Sequence, residues 1–486
     1  MKALKGLLLG SAAGVAAVAG AQAADLPVKA KPVEYVKICT LYGDGFYYIP
    51  GSDTCIRFSG YIRADYNWNG RRSSVLGALG AQDRTVSRYT TRHRARFQVD
   101  TRTQTAYGTL RTFMSVNIDN DLGADETNAS RAFIQWGGFT FGRTASFTDQ
   151  EGDLGDGGMR SLHSGLLDSS TSANGINQIA YTWQLGNGIT LNVGGDAPRA
   201  RSVANLTTTA TTVGSDPATS AHGDSHPDPW VALRVSQAWG SASLAFIGHK
   251  NAARYYTAGG GVGVCAQANT TLCNHPEDKW GWAVTAGTEI KLDFLSPGSR
   301  IGMFGAYGQG ASRIARNGQQ SVNLFGSGNE VAFGIVTDAA YVNGSNLELT
   351  TAWAVGGGFE YYWSRNFSST IYGGYSGTEY NNTVVTGRWF CSGAGLASTI
   401  TVAAGVACDP SYKLWQIGSH HDWFPVRGLR FAVDVLYTNI ETAFDGQTVT
   451  LGKTQGARPT GAYLVKDRGI VSVAFRAQRT WGAGGD

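Results

Sequence analysis

Arginine side chains recur at every second position in one part of the chain, and this spacing is the feature most suited to chemistry. Arg92, Arg94 and Arg96 alternate with residues such as Ala95 and Phe97. Successive side chains of a β-strand point to opposite faces, so these guanidinium groups would share one face of a strand. The same parity extends to three neighbouring strands and predicts a basic wall made of Arg57, Arg63, Arg92, Arg94, Arg96, Arg111 and Arg131.

Acidic side chains gather in the segment 148–176, which is also rich in glycine. A flexible acidic loop beside a basic wall predicts a constriction, since rings of charged side chains set ion selectivity in pores. The alternative is that the arginines form scattered ion pairs and that the loop lies on the surface. Arg143 has the parity of Phe139 and Phe141, and we do not assign it to the wall. The acidic residues assigned to the loop are Asp149, Glu151, Asp153, Asp156 and Asp168.

Sixteen segments in which apolar and polar residues alternate would position these side chains. In the first, Ile56 and Ile62 share one face, whereas Arg57 and Arg63 share the other. An apolar face opposite a polar face, repeated without a long apolar run, predicts a transmembrane β-barrel. The predicted strands are about 55–68, 88–100, 107–118, 129–136, 139–147, 177–185, 188–196, 229–239, 241–250, 279–292, 300–308, 347–361, 367–376, 412–423, 428–439 and 469–481.

The connections between these strands are short and long in alternation. Short ones such as Gly137-Gly138 are tight hairpin signals. We therefore predict an all-β fold, a sixteen-stranded antiparallel transmembrane barrel with short periplasmic turns and long extracellular loops. The apolar segment 331–342 has no place among the strands and would be a loop helix or a short extra hairpin. The long connections lie near 69–87, 119–128, 148–176, 197–228, 251–278, 309–346, 377–411 and 440–468.

The first residues have the pattern of a cleavable signal peptide. Lys2 and Lys5 precede an apolar stretch that ends at the small-residue site Ala21-Gln22-Ala23. We assign residues 1–23 to this signal peptide, 24–54 to a periplasmic N-terminal segment, 55–481 to the barrel and 482–486 to a C-terminal tail.

Six cysteines fall into three pairs that are local in sequence. An even count in an exported chain favours disulfides. Six cysteines permit about fifteen connectivities, and locality alone favours Cys39–Cys55, Cys265–Cys273 and Cys391–Cys408. We expect no metal, no cofactor and no catalytic residue. The formal charge of +4 gives no basic excess, so nucleic acid is not an expected partner.

Two stretches of the chain carry a family resemblance. The first comprises ADLPVKAKPVEYV at 24–36 and FYYIPG at 46–51, and the second is RAFIQWGGFTFGR at 131–143. They resemble the general-diffusion porins of alphaproteobacterial outer membranes. The resemblance implies a sixteen-stranded barrel, usually trimeric, whose third long loop folds into the pore. The chain departs from the family at its end, because such porins usually end on an aromatic residue, whereas five residues follow Trp481 here.

The leading interpretation is a passive, water-filled channel for small hydrophilic solutes and ions, because a sixteen-stranded barrel is wide enough to leave an aqueous lumen. One alternative is a solute-specific channel. Another, from a different class, is an adhesin or enzyme built on a barrel in the outer membrane. The expected partners are further copies of the chain in a homotrimer, outer-membrane lipid and lipopolysaccharide, the permeating solutes and ions, and the barrel-assembly machinery.

Overall fold

Sixteen long strands pair with their sequence neighbours around a ring in the computed structural model. The first and last strands close it, with pairs that run from Gly60↔Trp481 to Trp68↔Val473. The structure describes residues 37–69, 87–121, 123–152, 162, 171, 174–199, 202–207, 219–257, 273–315, 328–391, 400–401, 407–451 and 459–482. Within these ranges the barrel strands are β1 (Cys55–Trp68), β2 (Tyr89–Thr105), β3 (Gly108–Asp121), β4 (Ala124–Trp136), β5 (Phe139–Thr144), β6 (Ile176–Gly186), β7 (Ile189–Asp196), β8 (Asp228–Gln237), β9 (Gly240–Asn251), β10 (Lys279–Lys291), β11 (Arg300–Gln309), β12 (Thr351–Ser364), β13 (Phe367–Glu379), β14 (Tyr412–Val426), β15 (Leu429–Glu441) and β16 (Arg468–Trp481).

Side chains alternate between the outer face and the lumen along each strand, as the sequence predicts. In β1, Ile62 is 55% exposed on the outer face, whereas its neighbour Arg63 is 4% exposed on the inner face. Hydrocarbon offers no hydrogen-bond partner, so a spanning sheet must close on itself and present apolar side chains to lipid. The predicted sixteen-stranded antiparallel barrel is confirmed, although several strands are longer than the sequence indicated.

The long connection predicted at 119–128 is wrong. β3 ends at Asp121 and β4 begins at Ala124, and their pairing includes Asp119↔Glu126. The residues of this hairpin are polar on both faces, so the apolar–polar alternation that identifies a spanning strand is missing. The sequence therefore looks like a loop where the sheet continues beyond the apolar band.

Helical structure is short throughout the described ranges. Ser312–Ala315 and Asn382–Thr386 are α-helical, and Thr40–Tyr42 and Trp389–Cys391 are 3₁₀ turns. No helix among these described residues is long and apolar enough to cross a membrane.

The N-terminal segment packs against the first residues of β1. Tyr47–Tyr48 pairs with the first two residues of β1. A disulfide joins Cys39 to Cys55 with their Cα atoms 6.1 Å apart, and Phe46 is buried between them. The predicted signal peptide at 1–23 and residues 24–36 lie outside the described residues.

The outer loops pack together on an apolar core at the mouth of the barrel. The segment 331–342 is not a helix. Most of it has no regular secondary structure, and only Ala339–Tyr341 forms one arm of a short extra hairpin, paired antiparallel with Glu348–Leu349. It also pairs in parallel with Val203–Asn205 of the fourth loop. Phe333 and Ile335 of this segment are fully buried in a cluster that reaches the strands of the inner wall. The loops therefore narrow the outer entrance instead of standing free of it.

Candidate functional site: the lumen wall and the third loop

The arginines of β2 lie at the centre of an ion-pair network on the lumen wall. Arg94 Nε is 2.5 Å from Asp119 Oδ1, and Arg92 Nη2 is 2.9 Å from Asp119 Oδ2. Asp119 belongs to β3, directly opposite Arg94 in the sheet. It is 1% exposed and therefore needs these partners, because an unpaired buried charge is strongly destabilising.

A second network joins β1 to β16 at the seam, where the first and last strands pair and close the barrel. Arg63 Nε lies 3.2 Å from Asp65 Oδ2. Arg476 Nε, from β16, donates to Asp65 Oδ1 at 2.6 Å, and Arg476 and Asp65 face each other across the seam. Charge-assisted pairs of this kind orient the guanidinium groups as well as stabilising them.

Two further wall arginines are held by uncharged acceptors. Arg96 Nε donates to Asn117 Oδ1 at 2.7 Å, and its guanidinium lies 4.9 Å from the ring centre of Tyr61. Arg131 Nη1 donates to the carbonyl oxygen of Ser130 at 2.7 Å. These contacts orient the two guanidinium groups on the wall.

The remaining two wall arginines lie lower, at the short-turn end of the barrel. Arg57 and Arg111 both approach Asp100, at 3.5 and 3.0 Å. The structure thus divides the predicted wall into an upper group and a lower group. The lower group includes Arg102, which the sequence analysis did not assign.

The third loop, between β5 and β6, turns into the barrel at its first residues. Gln150 Nε2 donates to the carbonyl oxygen of Gly305 in β11 at 3.0 Å. Gly152 has φ +72°, and a Cβ built on it would lie 2.2 Å from the carbonyl oxygen of Thr288 in β10. Only glycine combines this left-handed conformation with so close an approach to a strand.

Glu151 of this loop meets an arginine on the wall opposite the predicted one. Arg234 Nη1 in β8 lies 3.0 Å from Glu151 Oε1, and Ser241 Oγ donates to Oε2 at 2.8 Å. Arg234 Nη2 also donates to the carbonyl oxygen of Asp149 at 2.6 Å. One arginine therefore anchors both the backbone and a side chain of the incoming loop.

Asp149 is buried at the base of the same loop, outside the spanning strands. Its Oδ2 accepts hydrogen bonds from both the amide and the hydroxyl of Thr171, each at 2.9 Å. Burial raises the pKa of Asp149 to about 6, although nearby Arg199 and the Thr171 hydrogen bonds oppose that rise. Its charge therefore changes in the range between pH 5 and 7.

Leu162, further along the loop, lies on the far side of the lumen. Its amide donates to Asp434 Oδ2 of β15 at 2.6 Å. Its side chain is 2% exposed and packs against Ala432 and Ala474, which belong to β15 and β16. The third loop therefore folds into the barrel, as the family resemblance implied.

The predicted site residues are only partly brought together. Glu151 pairs with Arg234, and the cation with the largest electrostatic effect on Asp149 is Arg199; neither arginine is among the seven predicted ones. The other loop acids, Asp153, Asp156 and Asp168, lie outside the described residues, as does Cys265 of the predicted bridge Cys265–Cys273. The disulfides Cys39–Cys55 and Cys391–Cys408 are both present.

Sequence reasoning missed the carboxylates that share the wall with the arginines. Asp100, Asp119 and Asp65 each have the inward parity of the arginines in their own strands. That parity is the signal in the sequence that indicates their place on the wall. Asp434 has the same inward parity in β15, but its partner on the third loop is a backbone amide, which leaves no trace in the sequence.

A closed barrel with an apolar outer face, a charged lumen and a loop folded into that lumen defines an outer-membrane channel. A family model described as a porin subfamily matches residues 25–472, and the chain belongs to this family. The protein is accordingly located in the bacterial outer membrane. Its relatives indicate a channel and not an enzyme.

Two curated relatives are porins of Brucella. Porin Omp2b of Brucella suis is 36% identical over 211 residues, which cover 40% of this chain and 52% of the relative. Porin Omp2b of Brucella abortus strain 2308 is 36% identical over 212 residues, which cover 40% of this chain and 55% of the relative. The chain thus spans about half the length of the curated relatives it matches.

The fold is shared with a solved outer-membrane channel of low sequence identity. The outer membrane channel DcaP of Acinetobacter baumannii superposes with a TM-score of 0.55 at 15% identity, covering 89% of this chain and 99% of that chain. An anion-selective porin from Comamonas acidovorans gives a TM-score of 0.44 at 10% identity, covering 88% and 100% of the two chains.

Proposed function

We propose that the protein is a passive, water-filled diffusion channel for small hydrophilic solutes and ions. Its constriction lies between the arginine wall of β1–β4 and the acidic third loop. The observation that carries this proposal is that the third loop contacts two separate parts of the lumen wall, at Gln150 and at Leu162. The family resemblance adds the class of solute.

The path of the loop supports a passage on the arginine side. The loop is anchored on β8–β11 by Gln150 and Arg234, and on β15–β16 by Leu162. The inner faces of β1–β4 carry the wall arginines and are left to border the open part of the lumen. A solute in that part meets guanidinium groups on one side and the loop on the other.

The loop exit supports a transverse electric field at the same place. Gly175 lies so close to the wall that a Cβ on it would be 3.0 Å from Arg131 Nη1. Asp149 acts electrostatically on Arg131. Opposed charges across a narrow passage orient dipolar solutes and disfavour apolar ones, because the field is strong where water is confined.

Assembly and biogenesis follow the family in this proposal. The exported chain loses a signal peptide, is inserted by the barrel-assembly machinery, and forms a homotrimer surrounded by lipid and lipopolysaccharide. The broad outer face of exposed apolar side chains, such as Phe97 and Ile118, suits both lipid and neighbouring subunits.

Liposome swelling tests the proposal against a solute-specific channel. Purified protein in liposomes is exposed to uncharged sugars of increasing mass. A diffusion channel gives swelling rates that fall smoothly with solute mass and rise linearly with concentration. Rates that saturate for one sugar and not for others of equal mass would favour the solute-specific alternative, and liposomes that do not swell at all would contradict both.

A further inference from the structure

Three guanidinium groups surround one carboxylate at the short-turn end of the lumen. Arg102 Nη2 and Arg111 Nη2 lie 2.9 and 3.0 Å from Asp100 Oδ2, and Arg57 Nη2 lies 3.5 Å from the same oxygen. The Nε atoms of Arg102 and Arg111 donate to Asp100 Oδ1 at 3.2 and 3.1 Å. We call these three arginines with Asp100 the lower arginine cluster. Its formal charge is +2, because three cations share one anion.

The carboxylate of this cluster is covered by its cations. Asp100 has a side-chain exposure of 2%, whereas Arg57, Arg102 and Arg111 have exposures of 20%, 25% and 29%. A solute that reaches the cluster therefore touches guanidinium groups and not the acid. Arg57 Nε is buried and has no hydrogen-bond partner among the described residues.

The N-terminal segment packs one aromatic ring against two of these cations. The ring of Phe46 lies 4.7 Å from the guanidinium carbon of Arg57 and 4.8 Å from that of Arg102. Phe46 is held in turn by the disulfide that joins Cys39 to Cys55. An aromatic face stabilises nearby cations, so Phe46 of the N-terminal segment helps to keep two like charges together on the lumen wall.

A third cation is oriented by its own neighbours. The guanidinium carbon of Arg111 lies 5.3 Å from the ring centre of Phe113 and 5.4 Å from that of Phe133. Arg111 Nη1 donates to Gln135 Oε1 at 3.2 Å. The cluster is thus built by β1, β2, β3, β4 and the N-terminal segment. These contacts fix its geometry in the absence of a solute.

We propose that the lower arginine cluster is a binding site for small dianionic oxyanions, of which inorganic phosphate is the simplest. The inference rests on the proposed diffusion channel and adds to it a resting place for anions near the periplasmic mouth. Planar guanidinium groups match the oxygens of phosphate in pairs. A dianion neutralises the formal charge of +2, which a monovalent anion of similar shape does not.

Phosphate block of chloride current tests the site in the full-length protein. Single channels are recorded in a planar bilayer in potassium chloride at pH 8, and inorganic phosphate is added. In the native channel, phosphate lowers the chloride current with saturation. Nitrate, which is a monovalent oxyanion, produces no saturable block.

Two substitutions remove one cation each. Arg111→Gln and Arg57→Gln are expected to raise the phosphate concentration for half-maximal block about ten-fold, since a hydrogen bond to a charged group is worth about 1.5 kcal/mol or more. Asp100 keeps two guanidinium partners in either variant, so the barrel is not left with an unpaired buried charge. The matched control is Arg365→Gln, an exposed arginine in the turn between β12 and β13, which should block as the native protein does.

The outcomes separate this inference from the channel itself. Channels that conduct chloride but show no saturable phosphate block contradict the site and leave the diffusion channel standing. Equal block in the native protein, Arg57→Gln and Arg111→Gln also contradicts the site. A protein that forms no channel contradicts the proposed function and this inference with it.

Discussion

The amide of Leu162 donates a hydrogen bond to Asp434 Oδ2 across the lumen, at 2.6 Å and over a sequence separation of 272 residues. Tyr372 Oη donates to the other oxygen of the same carboxylate at 2.7 Å. Asp434 is fully buried, so each of its oxygens requires a donor. The third loop is therefore seated on a carboxylate of the wall and does not cross the pore unsupported.

Asp434→Asn should loosen the third loop. An amide has one acceptor oxygen where the carboxylate has two, so Leu162 and Tyr372 would compete for it. Losing a hydrogen bond to a charged group costs about 1.5–3 kcal/mol, which shifts the balance between seated and released loop by about ten-fold or more. Single-channel recording should show added current noise and a higher mean conductance.

The control for this substitution is Glu360→Gln. Glu360 is also a fully buried carboxylate of the wall, but it pairs with Arg300 of β11 at 2.7 Å. Its current noise should match that of the native protein. Equal noise in all three proteins would show that Asp434 does not hold the loop.

Arg96→Glu should shift the ion preference of the channel toward cations. Arg96 donates to the uncharged Asn117 and lies beside Tyr61, whereas Arg94 is paired with the buried Asp119, so a reversal at Arg96 leaves that pair in place. The reversal potential in a potassium chloride gradient measures the change. Arg365→Glu, in an exposed turn outside the lumen, provides the control. A reversal potential that moves equally in both variants would remove Arg96 from the constriction.

Lowering the pH from 7 to 5 should reduce cation preference through Asp149. Its pKa is raised to about 6 by burial, so the carboxylate is charged at pH 7 and largely neutral at pH 5. The loop then loses one negative charge. The reversal potential of the native channel should change with a midpoint near pH 6. That step should be absent from Asp149→Asn, and its persistence there would assign the titration to another group.

The same shift fixes the sign of a stability effect. A carboxyl group whose pKa is higher in the folded than in the unfolded state binds more protons when folded. The stability that Asp149 contributes is therefore complete below the unfolded pKa and is lost as the pH rises through about 6. Above that pH, Asp149→Asn should unfold at a higher urea concentration than the native protein, whereas an equal or lower concentration would contradict the burial of a charged Asp149.

Ile62→Arg should destabilise the barrel in lipid. Ile62 is 55% exposed on the outer face of β1, and an arginine that faces lipid costs from about 0–1 kcal/mol near the interface to about 2–4 kcal/mol at the midplane. Urea unfolding of protein refolded into lipid vesicles measures the loss. The control is Gln98→Arg, which places the same side chain on the lumen face of β2, where Ser59 is its neighbour. Similar losses in the two variants would mean that the outer face of β1 does not contact lipid.

Strand positions could be predicted from the sequence because one physical rule operates along the whole barrel. Side chains that face lipid are apolar and side chains that face the water of the lumen are polar, so the two kinds alternate along β1. The rule fails beyond the membrane. The hairpin that contains Asp119 and Glu126 is paired like any other, but polar side chains occur on both of its faces.

The arrangement of charge was only partly predictable. Parity placed Arg57 and Arg94 on the inner face, but it could not show which acids would meet them. Asp100 collects three arginines because β2 and β3 are joined in a particular register, which brings Arg102 opposite Arg111. Contacts of the third loop are made between residues far apart in the sequence. The sequence contains no periodicity that could indicate the pairing of Glu151 with Arg234.

Planar-bilayer recording of the purified protein tests the central claim most directly. A water-filled diffusion channel predicts stepwise increases in current, with a conductance that is linear in voltage and proportional to salt concentration. In the proposed homotrimer, the current through one inserted trimer falls to zero in three equal steps as its three channels close. Folded protein that inserts into the bilayer and passes no current would contradict the account.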